Sequence, residues 1–249
     1  MRSSSLSPPH FPRRRFGQHF LHDRGVLRRL VEAIDPQPQD FIVEIGPGEG
    51  ALTRPLLERC GTLHVIELDR DLAARLQSMP GVVVHQGDAL RFDFAAFPSG
   101  MRIVGNLPYN VSTPLLFHLA RFAGQVRDMH FMLQAEVVER MVAAPSTPAY
   151  GRLSVALQAR FRMQRLFGVG PGAFRPPPKV DSAVVRMLPR RDPLVVDENL
   201  LRRAFSARRK QLRNALPDVD LAAAGVDPQL RAENLSPEDY ARLSMNSIL

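Results

Sequence analysis

Residues 41–142 alternate between short apolar runs and amphipathic segments with helical spacing, and this alternation constrains the fold more than any other feature of the chain. A repeated strand–helix pattern is typical of a parallel sheet that helices cover on both faces. Ligands bind such sheets beyond the carboxyl ends of the strands, so functional residues are expected directly after the apolar runs. The predicted strands are Phe41–Ile45, Leu63–Ile66, Val82–His85, Arg102–Gly105 and Met129–Leu133.

The pattern changes after residue 145. The segment Gly151–Phe161 is predicted to be helical, whereas Leu166–Val169 and Ala183–Leu188 are predicted to form a hairpin at the sheet edge. Residues 188–193 contain two prolines and two arginines, which predicts a domain boundary, and only helical patterns follow. The expected organisation is a flexible basic tail at residues 1–15, an α/β domain at residues 16–189 and a helical C-terminal domain at residues 190–249.

The chain of 249 residues is strongly basic. It contains 33 lysines and arginines against 25 acidic residues, which gives a net charge of +8. This balance suits a polyanionic partner such as RNA, since arginine grips phosphate with two hydrogen bonds and stacks on bases. Only two of the 33 are lysines, so an arginine bias in genome composition explains the charge equally well.

Targeting and metal-binding signals are absent from the sequence. No apolar run approaches the roughly 18 residues that span a membrane, and no signal-peptide core follows Arg13–Arg15, so a cytoplasmic protein is expected. Cys60 is the only cysteine, which excludes an intramolecular disulfide and a cysteine zinc cluster. No two of the seven histidines have zinc-ligand spacing, and no metal is expected.

The first predicted strand runs into the glycine-rich segment Glu44–Gly50, where a helix is predicted to begin. Glycines at such a turn let a ligand approach the backbone closely, and the helix N-terminus offers free N–H groups to a carboxylate or a phosphate. The motif alone is ambiguous. The spacing of Gly46, Gly48 and Ala51 also satisfies a dinucleotide-binding fingerprint, and a glycine turn without any ligand is the structural alternative.

Two acidic residues end the next two predicted strands. Glu67 lies 21 residues after Gly46, where a carboxylate can accept hydrogen bonds from both hydroxyls of a ribose. Asp88 ends the third strand, where it can accept a hydrogen bond from an adenine amino group. Either acid taken singly is explained by a solvated strand end. Together with the glycine turn, they favour a cofactor that contains adenosine.

The fourth predicted strand ends in the tetrad Asn106-Leu107-Pro108-Tyr109. The Asn106 side-chain carbonyl and the backbone carbonyl before Pro108 can both accept hydrogen bonds from an amino group on a base, and Tyr109 offers a face for stacking. Two such acceptors draw the amine lone pair out of conjugation, so that it can attack a sulfonium methyl group. Sulfonium is intrinsically electrophilic, so positioning supplies most of the catalysis. The alternative is a proline turn with a packed tyrosine.

With these features the chain resembles the ribosomal RNA adenine dimethyltransferases, and in particular the bacterial members that act on the small subunit. The resemblance spans about residues 12–245. The segments that carry it are Arg15–Leu21, Val43–Gly48, Val65–Asp69, Gly105–Asn110, Tyr150–Ser154, Pro176–Ser182 and Phe205–Lys210.

The resemblance implies a Rossmann-like, S-adenosylmethionine-dependent methyltransferase domain and a small all-helical C-terminal domain that contacts RNA or the ribosome. It implies that the chain, as a monomer, dimethylates the N6 amino groups of two adjacent adenosines near the 3′ end of 16S rRNA in the small ribosomal subunit. The residues implied to contact the cofactor are His19, Leu21, Gly46, Glu67, Asp88 and Asn106. Those implied to frame the target adenine are Asn106, Leu107, Pro108 and Tyr109. Many family members carry asparagine where this chain has His19.

Three alternative functions are weighed against this hypothesis. A relative that methylates large-subunit rRNA and confers antibiotic resistance would share both sites, but the segment Pro176–Ser182 looks more like the small-subunit enzymes. A non-catalytic RNA-binding assembly or transcription factor on the same scaffold is disfavoured by the intact segment Asn106–Tyr109. A nucleotide-dependent oxidoreductase is supported only by the glycine loop.

A basic stretch between residues 200 and 213 contains six cationic residues and no acidic one. If the stretch forms one helix, Arg202, Arg209 and Arg213 fall near one face and form a surface for RNA phosphates. The alternative is a solvated basic face. The six cations are Arg202, Arg203, Arg208, Arg209, Lys210 and Arg213, and the apolar anchors between them are Leu201, Phe205 and Leu212.

Overall fold

The computed structural model describes residues 18–246, so the predicted tail at residues 1–15 lies outside the described part of the chain. The strands are β1 Phe20–Leu21, β2 Ile42–Ile45, β3 Leu63–Glu67, β4 Val82–Gln86, β5 Met101–Asn106, β6 Val126–Gln134, β7 Phe161–Val169, β8 Phe174–Arg175 and β9 Ser182–Pro189. The α-helices are α1 Arg24–Ile34, α2 Thr53–Cys60, α3 Arg70–Gln77, α4 Ser112–Ala120, α5 Ala135–Val142, α6 Arg152–Gln158, α7 Glu198–Ser206, α8 Leu212–Ala215 and α9 Pro237–Asn246. Within this range no helix is both long enough and apolar enough to cross a membrane.

The main sheet has seven strands in the order β4-β3-β2-β5-β6-β9-β7. The five strands from β4 to β6 run parallel, as the strand–helix alternation predicts. β7 and β9 form the predicted antiparallel hairpin at the sheet edge. β2 pairs with β3 on one side and with β5 on the other, so the order of strand addition reverses at β2. The predicted α/β fold is confirmed.

The predicted boundary between α6 and β7 is wrong, and β6 begins at Val126, three residues before its predicted start. The helix was expected to continue through Phe161, but it ends at Gln158, and β7 begins at Phe161. Burial alternates over the next residues, because Phe161 and Met163 turn inward whereas Arg162 and Gln164 are exposed. A period of two fits a strand rather than a helix, and pairing with β9 fixes the strand conformation.

Helices cover both faces of the main sheet. Neighbouring residues of β5 belong to different hydrophobic clusters, since Ile103 packs on one face and Val104 on the other. The first cluster includes Leu116 and other residues of α4, α5 and α6, and the second includes Leu56 and other residues of α1, α2 and α3. Burial on both faces explains why neighbouring residues of β2 and β5, such as Ile42 and Val43 or Ile103 and Val104, are both apolar.

The C-terminal helices α7, α8 and α9 pack around a third cluster. The predicted anchors Leu201 and Leu212 are fully buried there, and Phe205 packs against them. Tyr150, which precedes α6, is also buried in this cluster, and its hydroxyl donates a 2.8 Å hydrogen bond to the carbonyl of Leu235. The part of the chain that precedes residue 190 therefore contributes a side chain, Tyr150, to the core of the C-terminal helices.

The basic stretch is not one helix, which corrects the predicted arrangement of its arginines. α7 ends at Ser206, and a turn follows before α8 begins at Leu212. The chain leaves the helical path because Gln211 forms a β-bridge with Arg231. The charge of Arg208 is paired within the protein, because its Nε lies 2.5 Å from the carboxylate of Glu233.

A buried arginine ties the start of β5 to its surroundings. Arg102 binds both carboxylate oxygens of Asp128, with N–O distances of 2.8 and 2.9 Å, and its Nη1 lies 2.6 Å from Asp40. The same guanidinium donates hydrogen bonds to the carbonyls of Ile34 and Asp35 at the end of α1. Burial favours a higher pKa for Asp40, but its hydrogen bonds from Gln37 and Arg102 outweigh this effect and lower the pKa.

Replacing this arginine is expected to destabilise the fold. Arg102→Met leaves the buried Asp128 without its cation and Asp40 with only the exposed Arg127, so we expect the free energy of unfolding to fall by about 3–5 kcal/mol, measured by urea denaturation. Arg127→Met is the matched control, because Arg127 pairs with the same Asp40 while its side chain is 57% exposed. The control is expected to lose less than about 1 kcal/mol. Equal losses in the two variants would contradict the structural role of Arg102.

Candidate active site

A cavity of about 250 Å³ opens beyond the carboxyl ends of β2, β3, β4 and β5. This is the edge of the sheet at which the strand order reverses, where ligands bind in open α/β sheets. The structure brings every candidate site residue of the sequence analysis to the wall of this cavity. They are His19, Leu21, Gly46, Glu67, Asp88, Asn106, Leu107, Pro108 and Tyr109.

The glycine-rich loop after β2 forms one wall of the cavity. Gly46, Gly48 and Gly50 have positive φ angles of 66°, 58° and 80°, a backbone conformation that residues other than glycine rarely adopt. At Gly48 a Cβ atom would lie 2.9 Å from the ring of Phe20. The loop therefore requires glycine both for its backbone conformation and for the close approach of the N-terminal segment.

Glu67 is held at the end of β3 by the backbone. Its carboxylate accepts hydrogen bonds from the N–H of Gly48, at 3.2 Å, and from the N–H of Asp69, at 2.8 Å. The side chain is 6% exposed, and burial raises its pKa against the lowering effect of these N–H groups. Each carboxylate oxygen keeps a lone pair with which to accept a hydroxyl group from a ligand.

A second carboxyl group, Glu44, lines the same cavity but is more deeply buried. The hydroxyl of Thr53 donates a 2.7 Å hydrogen bond to its Oε2. Burial, against the lowering effect of the Thr53 hydrogen bond and with a smaller contribution from the charge of Glu67, raises the pKa of Glu44 to about 8. Glu44 is therefore protonated at neutral pH, so that the cavity does not hold two adjacent negative charges.

Asp88 and Leu68 complete the wall beside Glu67. The Oδ1 of Asp88 accepts a 2.9 Å hydrogen bond from the N–H of Leu90, which holds the carboxylate at the cavity. Leu68 is an exposed apolar side chain, 49% accessible, and it also lines the cavity. An apolar surface between two hydrogen-bond acceptors matches the face and the polar edges of a nucleoside.

The Asn106 side chain is oriented by the N-terminal segment. Its Nδ2 donates a 3.0 Å hydrogen bond to the backbone carbonyl of His19. A carbonyl can only accept, so this bond fixes which end of the amide carries the NH₂ group. The Oδ1 of Asn106 and the carbonyl of Leu107 accept no hydrogen bond from the described part of the chain. Two hydrogen-bond acceptors are thus available at the end of β5.

Tyr109 is fixed by a side chain at the start of β9, which lies beside the carboxyl end of β6 at the same edge of the sheet. Its hydroxyl lies 2.6 Å from the Oγ of Ser182, at the start of β9. Burial raises the pKa of Tyr109, so the hydroxyl stays protonated at neutral pH. The ring of His19 lies near the Tyr109 ring, with centroids 5.4 Å apart, and its Nδ1 donates a 2.7 Å hydrogen bond to the carbonyl of Pro176.

The N-terminal segment reaches the cavity through a short sheet of its own. β1 pairs antiparallel with β8, and the N–H of His22 donates to the carbonyl of Ala173. This pairing holds His19 and Leu21 against the cavity although they are distant in sequence from the other site residues.

Three residues of the site were not singled out by sequence reasoning. Glu44, Leu68 and Ser182 each lie inside a segment that carried the family resemblance, but none was assigned a role there. For Glu44 the available signal was its position directly before the glycine turn, and for Leu68 its position after Glu67. No local pattern links Ser182 to Tyr109, because the two are 73 residues apart.

Comparison with known proteins shows similarity along nearly the whole chain. A family model described as ribosomal RNA adenine dimethylase matches residues 10–248. The ribosomal RNA small subunit methyltransferase A of Aromatoleum aromaticum is 57% identical over 248 residues, which cover 94% of each chain. A dimethyladenosine transferase from Plasmodium falciparum has a TM-score of 0.78 at 26% identity, with 90% of this chain and 96% of that chain covered. The 23S rRNA methyltransferase ErmE has a TM-score of 0.69 at 27% identity, with 91% of this chain and 98% of that chain covered.

The buried carboxyl group of Glu44 predicts a pH dependence of stability. The pKa of Glu44 is about 8 in the folded chain and 4.5 in the unfolded chain. Its stabilising contribution to the free energy of unfolding is therefore complete below pH 4.5 and is lost as the pH rises through 8. We expect Glu44→Gln to reduce the fall in the free energy of unfolding between pH 5 and pH 8 by an amount of the order of 3 kcal/mol. Urea denaturation at several pH values measures this, with exposed Glu49→Gln as the control. A wild-type pH profile in Glu44→Gln would refute the buried protonated state.

Proposed function

This chain belongs to the ribosomal RNA adenine dimethylase family, and from that premise we propose that it dimethylates the N6 amino groups of two adjacent adenosines near the 3′ end of 16S rRNA. The methyl donor is S-adenosylmethionine, and the RNA partner lies in the small ribosomal subunit. The small-subunit name of the relative that is 57% identical supports this choice over the large subunit, since the 23S rRNA enzyme is only 27% identical.

The residues of the cavity fit S-adenosylmethionine. The cofactor supplies an electrophilic methyl group on a positively charged sulfur. Glu67 is proposed to accept the ribose hydroxyls through its free lone pairs, and Asp88 to accept the adenine amino group. The glycines of the loop from Gly46 let the cofactor approach the backbone closely, and His19 and Leu21 close the same wall.

The observation that carries the proposal is the orientation of Asn106. Because its NH₂ group donates to the carbonyl of His19, its Oδ1 is left as an acceptor beside the carbonyl of Leu107. An exocyclic amino group has two N–H bonds, and these two acceptors match them. Accepting both hydrogen bonds localises the nitrogen lone pair, so that it can attack the methyl group in line. In the transfer the N–C bond would form as the S–CH₃ bond of the sulfonium breaks, the neutral thioether would leave, and the nitrogen would release one of its protons to solvent.

Pro108 and Tyr109 are proposed to hold the plane of the target adenine. Pro108 has a fixed φ angle, so it restricts the backbone that carries the Leu107 carbonyl. The bond between the Tyr109 hydroxyl and Ser182 holds the tyrosine ring at the cavity, where a flipped base can stack on it. Stacking on a fixed ring orients the amino group with little loss of side-chain entropy on binding.

The chain is proposed to act as a monomer in the cytoplasm, with two functional parts. Residues 16–189 carry the chemistry, and residues 190–249 contact the ribosomal subunit. A third hydrophobic cluster, built mainly by residues of the C-terminal helices, supports this division. Exposed cations in the turn between α7 and α8 supply charge for phosphates. Arg209, Lys210 and Arg213 are exposed and make no ion pair with any residue between 18 and 246.

Removing the Asn106 amide is expected to abolish turnover while leaving cofactor binding largely intact. Misplacing the attacking nitrogen by about 1 Å costs on the order of a hundredfold in rate, so we expect at least this loss in Asn106→Ala. The measurement is single-turnover transfer of labelled methyl groups to undermethylated small subunits, beside calorimetry with S-adenosylmethionine.

Asn214→Ala is the matched control for this experiment. It makes the same chemical change at an exposed position of α8, and its rate is expected to equal that of the wild type. Near-normal methylation by Asn106→Ala would remove the assigned role of the amide. A loss of cofactor binding as large as the loss of rate would move Asn106 from the target site to the cofactor site.

The exposed cations predict the salt dependence of binding to small subunits. Each lost phosphate contact lowers the slope of log affinity against log salt by about one unit. Replacing Arg209, Lys210 and Arg213 together with alanine is therefore expected to flatten the slope by up to about three units. Arg208 is left in place because it pairs with Glu233.

A triple variant of Arg54, Arg59 and Arg70 is the control, since it removes the same charge from exposed positions on α2 and α3. We expect its slope to stay within about one unit of the wild-type value. Equal flattening in the two triple variants would mean that net charge alone governs the attraction.

A further inference from the structure

A second cleft, with a volume of about 510 Å³, lies between α4, α6 and α7. Its walls come from both parts of the chain, because α4 and α6 pack on the main sheet whereas α7 belongs to the C-terminal helices. None of the candidate cofactor or target-base residues lines it, whereas Arg202 of the basic stretch does. Its side chains carry two arginines against one glutamate, Glu198, and include an aromatic ring.

Arg152 presents a flat cationic surface in this cleft. Its guanidinium lies over the ring of Phe117, with the Cζ atom 4.9 Å from the ring centroid. Within residues 18–246 this guanidinium contacts no second aromatic ring, so it remains open to a stacking partner. Arg152 is exposed and makes no ion pair with any residue of the described range 18–246. A guanidinium fixed in this way is a platform on which a nucleic-acid base can stack.

A second guanidinium is also oriented in the cleft. Arg202 donates a 3.1 Å hydrogen bond from Nη2 to the Oδ1 of Asn199, one turn earlier on α7. This bond leaves the other N–H groups of the fork available for a phosphate oxygen. A planar cation beside a phosphate-binding cation matches one nucleotide, which has a base and a phosphate.

The cleft lies next to the proposed entry of the target adenine, because both cavities share α4. Val111 and Leu115 line the first cavity, whereas Thr113 and Pro114 line the second. Val111 and Pro114 are three residues apart, which corresponds to roughly 4.5 Å along a helix axis. The two sets of residues lie on different faces of α4, so an RNA strand that delivers a base to Tyr109 reaches the second cleft by passing around this helix.

We propose that this cleft binds the nucleotide adjacent to the target adenine, with its base stacked on Arg152 and its phosphate on Arg202. The proposal rests on the proposed function, since it assumes that RNA enters the first cavity. In this arrangement the cleft holds the RNA strand in register, so that the target base reaches Asn106. Arg152 and Arg202 are positioning residues in this arrangement, because they do not touch the reacting atoms.

The test compares Arg152→Lys and Arg202→Ala with the wild type in binding to undermethylated small subunits over a range of salt concentrations. Lysine keeps the charge of Arg152 but has no planar face. We expect Arg152→Lys to bind about tenfold more weakly with an unchanged salt slope, since stacking is lost and charge is kept. We expect Arg202→Ala to lower the salt slope by about one unit.

Arg59→Ala is the matched control, as it removes an exposed arginine from α2. Its affinity is expected to stay within about twofold of the wild-type value, and thermal unfolding and calorimetry with S-adenosylmethionine check that all variants are folded. Wild-type affinity in Arg152→Lys overturns the stacking platform. A change in Arg202→Ala no larger than that in Arg59→Ala overturns the phosphate contact.

Crosslinking separates this proposal from the proposed function. A 4-thiouridine placed next to the target adenosine in reconstituted subunits is expected to crosslink to α6 or α7. Crosslinks to other elements alone, or protection of the cleft by a ribosomal protein instead of RNA, overturn the proposal. If the wild type binds and crosslinks as expected but transfers no methyl group, the proposed function fails while the cleft assignment stands.

Discussion

The position of β2 between β3 and β5 is the constraint on which the site depends. The chain adds β3 on one side of β2 and β5 on the other, and the connections on the two sides leave a crevice at the carboxyl ends of these parallel strands. Close approach of backbone at this point is possible because Gly105 has no side chain, since a Cβ there would lie 2.5 Å from the carbonyl of Ile45. The glycine loop after β2 and the tetrad after β5 are thereby brought to one cavity.

Much of the site was predictable because it is local in sequence. Glu67, Asp88 and Asn106 each follow a strand that apolar patterning reveals, and the parallel sheet then brings the strand ends together. The fold was predictable for the same reason, apart from the end of α6. There the alternation that begins at Phe161 is a strand signal, which was assigned to the preceding helix.

The features that escaped prediction depend on contacts between distant segments. The protonation of Glu44 follows from its burial and from the charge of Glu67, neither of which local sequence expresses. The apolar spacing of the basic stretch is compatible with a single helix. The chain leaves the helical path because Gln211 forms a bridge with Arg231, which is distant in sequence. Propensity is a weak prior where tertiary pairing competes with it.

The pairing of β1 with β8 gives the cavity a wall that is separate from the main sheet. Each strand has only two residues, so few backbone hydrogen bonds resist its separation. Local opening of such an element requires much less free energy than global unfolding. Two methyl additions to one nitrogen require that the spent donor leave and a fresh one enter between them. If this wall separated to exchange the donor, the seven-stranded sheet would stay paired and the bond between His19 and the Asn106 amide would break, so reloading and realignment would be coupled.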